Sequence, residues 1–254
     1  MSMTLRAMRL LPLLFATLVP TALAQTAAKP DGVWRGALGA GATASHGNSN
    51  SLTATFNGDA VRQTQIDKLS GFAQVVYGRR SNNGIVERTS ELYRAGGLYT
   101  RDLSPLVTNT FGFGALEFER NPLADLDLRS VVAAGIGAHI ISRPGFTFDV
   151  STGPAYKHER RSAGRQHALE WLFAEESTHV LNANVSFRQR LAIFPNLSES
   201  GRFRAVFDAG LVVKIAGNWA ATISLNERYQ SDPPPGVKNN DLLLITGVQY
   251  TFNP

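Results

Sequence analysis

The chain has 254 residues, no cysteine, 25 Lys plus Arg against 20 Asp plus Glu, and a formal net charge of +5. Lack of cysteine excludes a disulfide scaffold and any thiol or thiolate-metal chemistry. The basic excess is thin and spread along the chain, with no block or stripe of the kind that binds nucleic acid, so no nucleic-acid partner is expected.

Residues 1–24 read as a secretory signal peptide. Arg6 and Arg9 supply a positive start, Leu10 to Val19 is apolar apart from Pro12 and Thr17, and Ala22-Leu23-Ala24 is a small-x-small cleavage site before Gln25. The apolar run is well short of the ~20 residues of a spanning helix. The next best candidate, Val131 to Ile141, is shorter than a span and contains Gly135, Gly137 and His139.

Residues 25–254 form one domain. Twelve extended segments are predicted at about 33–46, 51–63, 68–80, 90–102, 105–118, 128–142, 146–158, 167–180, 184–194, 203–214, 218–230 and 241–253. Connections after even segments look tight: Thr64 to Asp67, Leu103-Ser104, Arg143-Pro144-Gly145, Leu181 to Ala183 and Ile215 to Asn218. Those after odd segments look longer: Ser81 to Thr89, Glu119 to Asp127, Glu159 to Arg165, Pro195 to Arg202 and Ser231 to Asn240, with His46 to Asn50 as a short exception. Short periplasmic turns and longer external loops are the outer-membrane rule, which puts both termini in the periplasm.

Side-chain parity supports the same class, because a strand facing lipid needs one continuous apolar row while the opposite row can be polar. In the last segment Leu242, Leu244, Thr246, Val248, Tyr250 and Phe252 share a face. In the eleventh, Trp219, Ala221, Ile223 and Leu225 oppose Ala220, Thr222, Ser224, Asn226 and Arg228; the tenth sets Phe203, Ala205, Phe207, Ala209, Leu211 and Val213 against Arg204, Asp208 and Lys214. Aromatics fall at both ends: Trp34, Tyr99, Phe146, Trp219 and Phe252 at the periplasmic one, Tyr77, Tyr156, Phe203 and Tyr229 at the external one. A soluble β-sandwich also needs one apolar face per strand, but girdles at both ends favour a barrel. The fifth segment fits poorly, with Phe111 and Phe113 on one face and Leu116 and Phe118 on the other, which predicts a bulge near Gly112 or Gly114. The fold class expected is all-β: an antiparallel transmembrane β-barrel of about twelve strands.

Several stretches carry a resemblance: Gly47-Asn48-Ser49-Asn50-Ser51-Leu52; Leu116-Glu117-Phe118-Glu119-Arg120 with Leu126-Asp127-Leu128-Arg129; Gly153-Pro154-Ala155-Tyr156; and Ser231-Asp232-Pro233-Pro234-Pro235-Gly236-Val237-Lys238. Together they resemble the salt-induced outer-membrane protein family, domain of unknown function 481. The resemblance covers nearly all of residues 25–254 and implies an outer-membrane barrel without an established activity, linked to salt and envelope stress. One departure is that Asn253 and Pro254 follow Phe252, whereas such barrels usually end on an aromatic residue.

Catalytic and cofactor motifs are missing: no Gly-x-Gly-x-x-Gly after a strand, no phosphate-binding loop, no His-Glu-x-x-His. Glycines of Gly39-x-Gly41, Gly112-x-Gly114 and Gly135-x-Gly137 read as relief of crowding in strands. The five histidines, His46, His139, His158, His167 and His179, read as polar surface, with His139 directed inward. Glu175-Glu176 with His179 does not read as a metal site, because strand neighbours face opposite ways. No cofactor, metal or catalytic residue is assigned.

That leaves the lumen. Arg35, Arg94, Arg129, Lys157, Arg188, Arg190, Arg204, Lys214 and Arg228 fall on inward rows, with Asp59, Asp149, Glu170, Glu176 and Asp208. Either these pair into a plug, or they line a narrow anion-biased channel; eight strands are filled by side chains and sixteen leave a pore, so twelve is the ambiguous middle. Three function classes follow. The first is a non-enzymatic outer-membrane barrel, as channel or structural element. The second is a membrane-embedded lipid-modifying enzyme. The third is a surface-binding module using an external loop at Asp232, Pro233, Pro234, Pro235, Gly236 and Lys238. Expected partners are outer-membrane lipid, the assembly machinery and periplasmic chaperones, and small ions or solutes if the lumen is open.

Overall fold

A computed structural model describes residues 29–45, 50–82, 85–104, 106–234 and 236–253. The segment expected to be a signal peptide, His46 with the 46–49 connection, Pro235 and Pro254 lie outside the described residues. Among those residues twelve strands close into one antiparallel barrel: β1 (Arg35–Ser45), β2 (Asn50–Gln63), β3 (Asp67–Asn82), β4 (Ile85–Asp102), β5 (Thr110–Asn121), β6 (Leu126–Arg143), β7 (Phe146–Arg161), β8 (Gly164–Val180), β9 (Val185–Pro195), β10 (Phe203–Ala216), β11 (Trp219–Gln230) and β12 (Asn240–Phe252). Each strand pairs with its chain neighbours, and β1 pairs with β12 from Gly36↔Phe252 to Gly41↔Gly247. Closure removes both sheet edges, so the strand backbones find their hydrogen-bond partners inside the sheet. Among the described residues no helix is long and apolar enough to cross a membrane, which does not bear on crossing by strands.

Period-two alternation sets which residues face out. The outer wall carries a belt of exposed apolar side chains, including Leu38, Phe56, Val75, Val132, Ile136, Phe173, Leu242 and Leu244. Phe56 and Ile136 are each 61% exposed, an arrangement that water would penalise and hydrocarbon would not. At one end of the belt Phe203 packs on Tyr229 with centroids 5.4 Å apart. At the other, Trp219 meets Tyr250 edge-on at 5.2 Å. These pairs mark the two rims: the near rim, from which β1 starts and at which β12 ends, and the distal rim.

Strand ends differ from the sequence expectation wherever polar residues keep alternating beyond the apolar stretch. β3 runs to Asn82 and β4 starts at Ile85; β7 runs to Arg161 and β8 starts at Gly164. Between β5 and β6 the chain makes only a 3-10 turn, Pro122–Ala124, with Asp125 left-handed at φ 53°. Conversely β5 starts at Thr110, later than expected, because the preceding described residues bond among themselves, Leu106 N–H to the Leu103 carbonyl (2.8 Å) and Thr110 Oγ1 to the Val107 carbonyl (2.8 Å). Connection length therefore does not separate the rims as cleanly as the sequence suggested.

The fifth strand is also corrected. Its register is unbroken from Tyr93↔Arg120 to Asp102↔Phe111, so Gly112 and Gly114 carry no bulge. Phe111 and Phe113 point inward and are buried, while Leu116 and Phe118 point outward and are exposed. Aromatics lie on both faces because the interior here is apolar.

Gly153-Pro154 has a structural reason. The β6–β7 register runs Ala133↔Ala155 and resumes at Ile136↔Thr152 without a shift, so the gap falls where Pro154 has no N–H to give. At that gap the backbones crowd: a Cβ on Gly153 would lie 2.1 Å from the Ala134 carbonyl oxygen, and one on Gly135 would lie 2.1 Å from that of Thr152. Gly153→Ala is expected to destabilise the barrel by ~1–3 kcal/mol through forced backbone displacement, read from urea titration of vesicle-inserted protein.

Ile223 pairs with Thr246 and Leu211 on the outward rows near mid-height of β11, and Thr222 pairs with Gly247 and Val212 on the inward rows. Arg in place of Ile223 should cost ~2–4 kcal/mol in folding into lipid vesicles, and Thr222→Arg clearly less. Equal costs would contradict the face assignment.

Candidate functional site: the barrel lumen

The inward rows build one connected polar network across the distal half of the lumen. Arg94 on β4 donates to Glu117 on β5 from Nη2 at 2.7 Å and Nε at 3.2 Å. Glu119 lies 3.9 Å from Arg94 and 3.3 Å from Arg129 on β6. Arg129 Nε donates to Glu159 on β7 at 2.6 Å, and Glu159 also holds Arg161 at 3.0 Å and Lys157 at 3.4 Å. Lys157 reaches Glu170 on β8 at 3.4 Å, and Arg204 on β10 donates to the same carboxylate from Nε at 2.9 Å. Signs alternate along this path, so each buried charge has an opposite neighbour, which is the condition for keeping it ionised away from water.

The network also closes across the barrel. In a ring of twelve, β4 and β10 are diametrically opposed, yet Arg94 Nη1 comes within 3.9 Å of Asp208 Oδ1. Asp208 takes hydrogen bonds from Arg228 Nη2 and Asn226 Nδ2, both at 2.8 Å, and the Asn226 amide oxygen accepts one from Gln74 on β3 at 3.2 Å. Gln74 is 1% exposed, Glu159 0% and Glu170 2%, so these side chains are almost wholly covered by their neighbours.

Packed against this network is an apolar cluster of Phe111, Phe113, Val131, Ala133, Ala155, Leu172, Ala192, Phe194 and Val206. The Arg204 guanidinium sits 3.4 Å above the Phe194 ring, so one arginine joins the two layers through a carboxylate and a π face. Toward the near rim, His139 Nδ1 lies 2.8 Å from Asp149 and its Nε2 lies 3.4 Å from Asp102, while Arg188 pairs with Glu176. At that rim Arg35 grips Asp31 at 2.5 and 2.7 Å, and the guanidinium holds the Asp31 carboxyl well below the usual carboxylate range.

Most lumen residues read from the sequence come together here: Arg94, Arg129, Lys157, Glu170, Arg204, Asp208 and Arg228 in the network, and Asp149, Glu176 and Arg188 below it. Arg190 lies on an inward row between Glu176 and Asp208 in register, and Asp59 is buried beside Ala37. Lys214 is exposed at the near rim. The sequence reading missed Lys68, Glu117, Glu119, Glu159, Arg161 and Asp241, all on inward rows. Four of these six are acids, so the basic excess in the lumen narrows. Glu119 and Glu159 were placed in connections; continuing the period-two row through the polar strand ends would have found them.

Of the loop residues, Asp232 pairs with Arg202 at 2.8 Å and the Val237 N–H returns to the Pro234 carbonyl at 3.0 Å. Gly236 takes φ +83°, which suits glycine. Pro234, Val237 and Lys238 help line a cavity of about 50 Å³ together with Glu117, Arg129, Arg204 and Arg228, so this loop lies over the distal mouth. The cavity has room for a few waters.

On the outer wall, Glu175 and Glu176 face opposite sides: Glu175 accepts from Gln189 Nε2 at 3.2 Å, and Glu176 meets Arg188 within. Ser177 Oγ lies 3.2 Å from His179 Nε2, whose ring packs between Phe146 and Phe187.

Fold and lumen together define a closed, antiparallel twelve-stranded barrel with an occupied interior. The family described as protein of unknown function, DUF481, matches residues 38–252, and the chain belongs to that family. No curated protein matches the sequence. Among solved structures, the translocator domain of the autotransporter NalP from Neisseria meningitidis is similar at 13% identity, covering 86% of this chain and 87% of that one, with a TM-score of 0.44. The NanC porin is similar at 8% identity, covering 85% and 97%, TM-score 0.45. The KdgM porin, solved in complex with disordered oligogalacturonate, is similar at 10% identity, covering 87% and 100%, TM-score 0.44.

Glu159→Gln keeps the shape but leaves Arg129, Lys157 and Arg161 around a neutral group. The expected loss is ~3–5 kcal/mol of stability, measured by urea unfolding from vesicles.

Proposed function

We propose that the protein is a non-enzymatic β-barrel of the Gram-negative outer membrane whose lumen is plugged by its own side chains. The carrying observation is the Arg94–Asp208 approach between opposed strands, in a section where Gln74, Glu159 and Glu170 are almost wholly buried. A closed sheet with an exposed apolar belt and aromatics at both rims supports residence in a bilayer. The signal peptide read from residues 1–24 supports export, with both termini in the periplasm and the 231–239 loop outside. Surrounding lipid and the machinery that inserts barrels are the partners this reading requires. An interior cross-braced by ion pairs resists flattening of the cylinder, a mechanical role that fits an element of the envelope under osmotic load.

A narrow anion-biased channel is the second reading, favoured by the basic groups Arg129, Arg161, Arg204, Arg228 and Lys238 around the distal cavity. Planar bilayers separate the two. Folded wild-type protein is expected to give no steady conductance, and Arg94→Ala combined with Phe113→Ala and Phe194→Ala is expected to give one, because both fillings are thinned. Steady anion-selective current from the wild type would sink the plug. In that case Arg188→Gln, Arg190→Gln and Arg204→Gln together should move the reversal potential toward cations, and high salt should weaken the bias as the Debye length falls to ~3 Å near 1 M.

A further inference from the structure

Tyr156, His158 and His167 form a cluster on the outer wall at the distal rim that the plug does not use. His158 and His167 are directly opposed in the β7–β8 ladder, and Tyr156 precedes His158 by two residues on the same face. His158 Nδ1 lies 3.1 Å from His167 Nδ1, and the Tyr156 hydroxyl oxygen lies 2.7 Å from that same nitrogen. The two imidazole rings are tilted by 38° with centroids 4.6 Å apart, and Tyr156 stacks on His167 at 6.0 Å. Tyr156 is 49% exposed, so the cluster is open to the medium.

Without an ion, this convergence is poorly matched. A ring nitrogen of imidazole either donates one N–H or accepts at one lone pair, so His167 Nδ1 cannot form a full hydrogen bond with both of its neighbours in the ring plane. A metal resolves the conflict, because neutral imidazole nitrogens and a phenol oxygen can all direct lone pairs at one cation. With metal–nitrogen bonds of ~2.0–2.1 Å, two ligand nitrogens stand roughly 2.8–3.4 Å apart for angles between square-planar and tetrahedral. The observed 3.1 Å falls inside that window. Among the described residues no three His, Cys, Asp or Glu side chains gather, and this cluster needs the phenol as its third donor.

We propose that Tyr156, His158 and His167 bind one divalent transition-metal ion, Cu2+ in preference to Zn2+. Imidazole nitrogen suits both ions, and Cu2+ heads the first-row affinity order. The next opposed pair toward the strand tips is Arg160↔Arg165, with Asp127 3.7 Å from Arg160, and the net positive charge left there lowers affinity for any cation and favours the strongest binder. Two neutral imidazoles, the phenol side and solvent complete the coordination, and the site takes its ion from the exterior.

The test uses the untagged full barrel, refolded into detergent micelles, with Cu2+ alone as probe and electron paramagnetic resonance as readout. The expected result is one saturable Cu2+ with hyperfine structure from two nitrogens. His158→Gln and His167→Gln should each weaken binding at least about tenfold, and Tyr156→Phe less. These side chains project outward, so the variants should keep the strand circular-dichroism signal of the wild type. If one does not fold, diethylpyrocarbonate labelling of the wild type replaces it, with His158 and His167 expected to be protected by Cu2+ and His179 not. No saturable binding at about 100 µM Cu2+, unchanged binding in both Gln variants, or absence of protection would each overturn the site.

Discussion

The rest of the structure depends on backbone hydrogen bonding in a medium without water. A strand that crosses hydrocarbon must find a partner for every N–H and C=O in another strand, and the pairing of β1 with β12 removes the last two edges. Once the sheet is closed, side chains have only two directions available. One row meets lipid and must be apolar; the other meets whatever the circumference of twelve strands leaves inside. Even the exception obeys this rule, since the proline that cannot donate, Pro154, sits where Gly135 and Gly153 let the two backbones crowd together.

Inside, size and charge act together. Long side chains on opposed strands meet across the lumen, as Arg94 and Asp208 show at 3.9 Å. A core of charges is tolerable only when each is compensated, and the path from Glu117 through Arg94, Glu119, Arg129, Glu159, Lys157 and Glu170 to Arg204 alternates sign at every step. Such pairs add little net stability over apolar packing, but losing one member is costly, so the network specifies one arrangement of the strands more than it strengthens the sheet. The apolar cluster around Phe111, Phe113 and Phe194 excludes water beside it and so strengthens each of these pairings.

How legible this was in the sequence follows from the physics of each part. The barrel and its strand count were readable because the lipid-facing row must be apolar throughout, which leaves a period-two trace in β10, β11 and β12. Strand ends were less readable, because polar residues alternate unnoticed: Ser81 and Asn82 extend β3, and Glu159 to Arg161 extend β7. That error hid Glu119 and Glu159 and exaggerated the basic excess. The fifth strand misled for the opposite reason. Its inward aromatics looked like a break in the pattern, whereas they fill the lumen. The cross-barrel partners of Arg94 could not be found by local pattern at all, since they depend on which strands end up opposed when the sheet closes.

The same geometry explains why the His158–His167 pair escaped notice. Each histidine alone is an ordinary polar residue beside a connection, and they stand nine positions apart in the chain. What unites them is the two-residue turn at 162–163, which fixes the register so that residues equidistant from it face each other. Register is set by the turn and face by parity, so both residues had to lie on the outward row and at equal distance from the turn to meet. Inward residues of the same hairpin, Lys157 and Glu159, instead join the ion-pair network of the lumen. One hairpin thus supplies cations and acids to the lumen and imidazoles to the exposed rim, with the sheet between them.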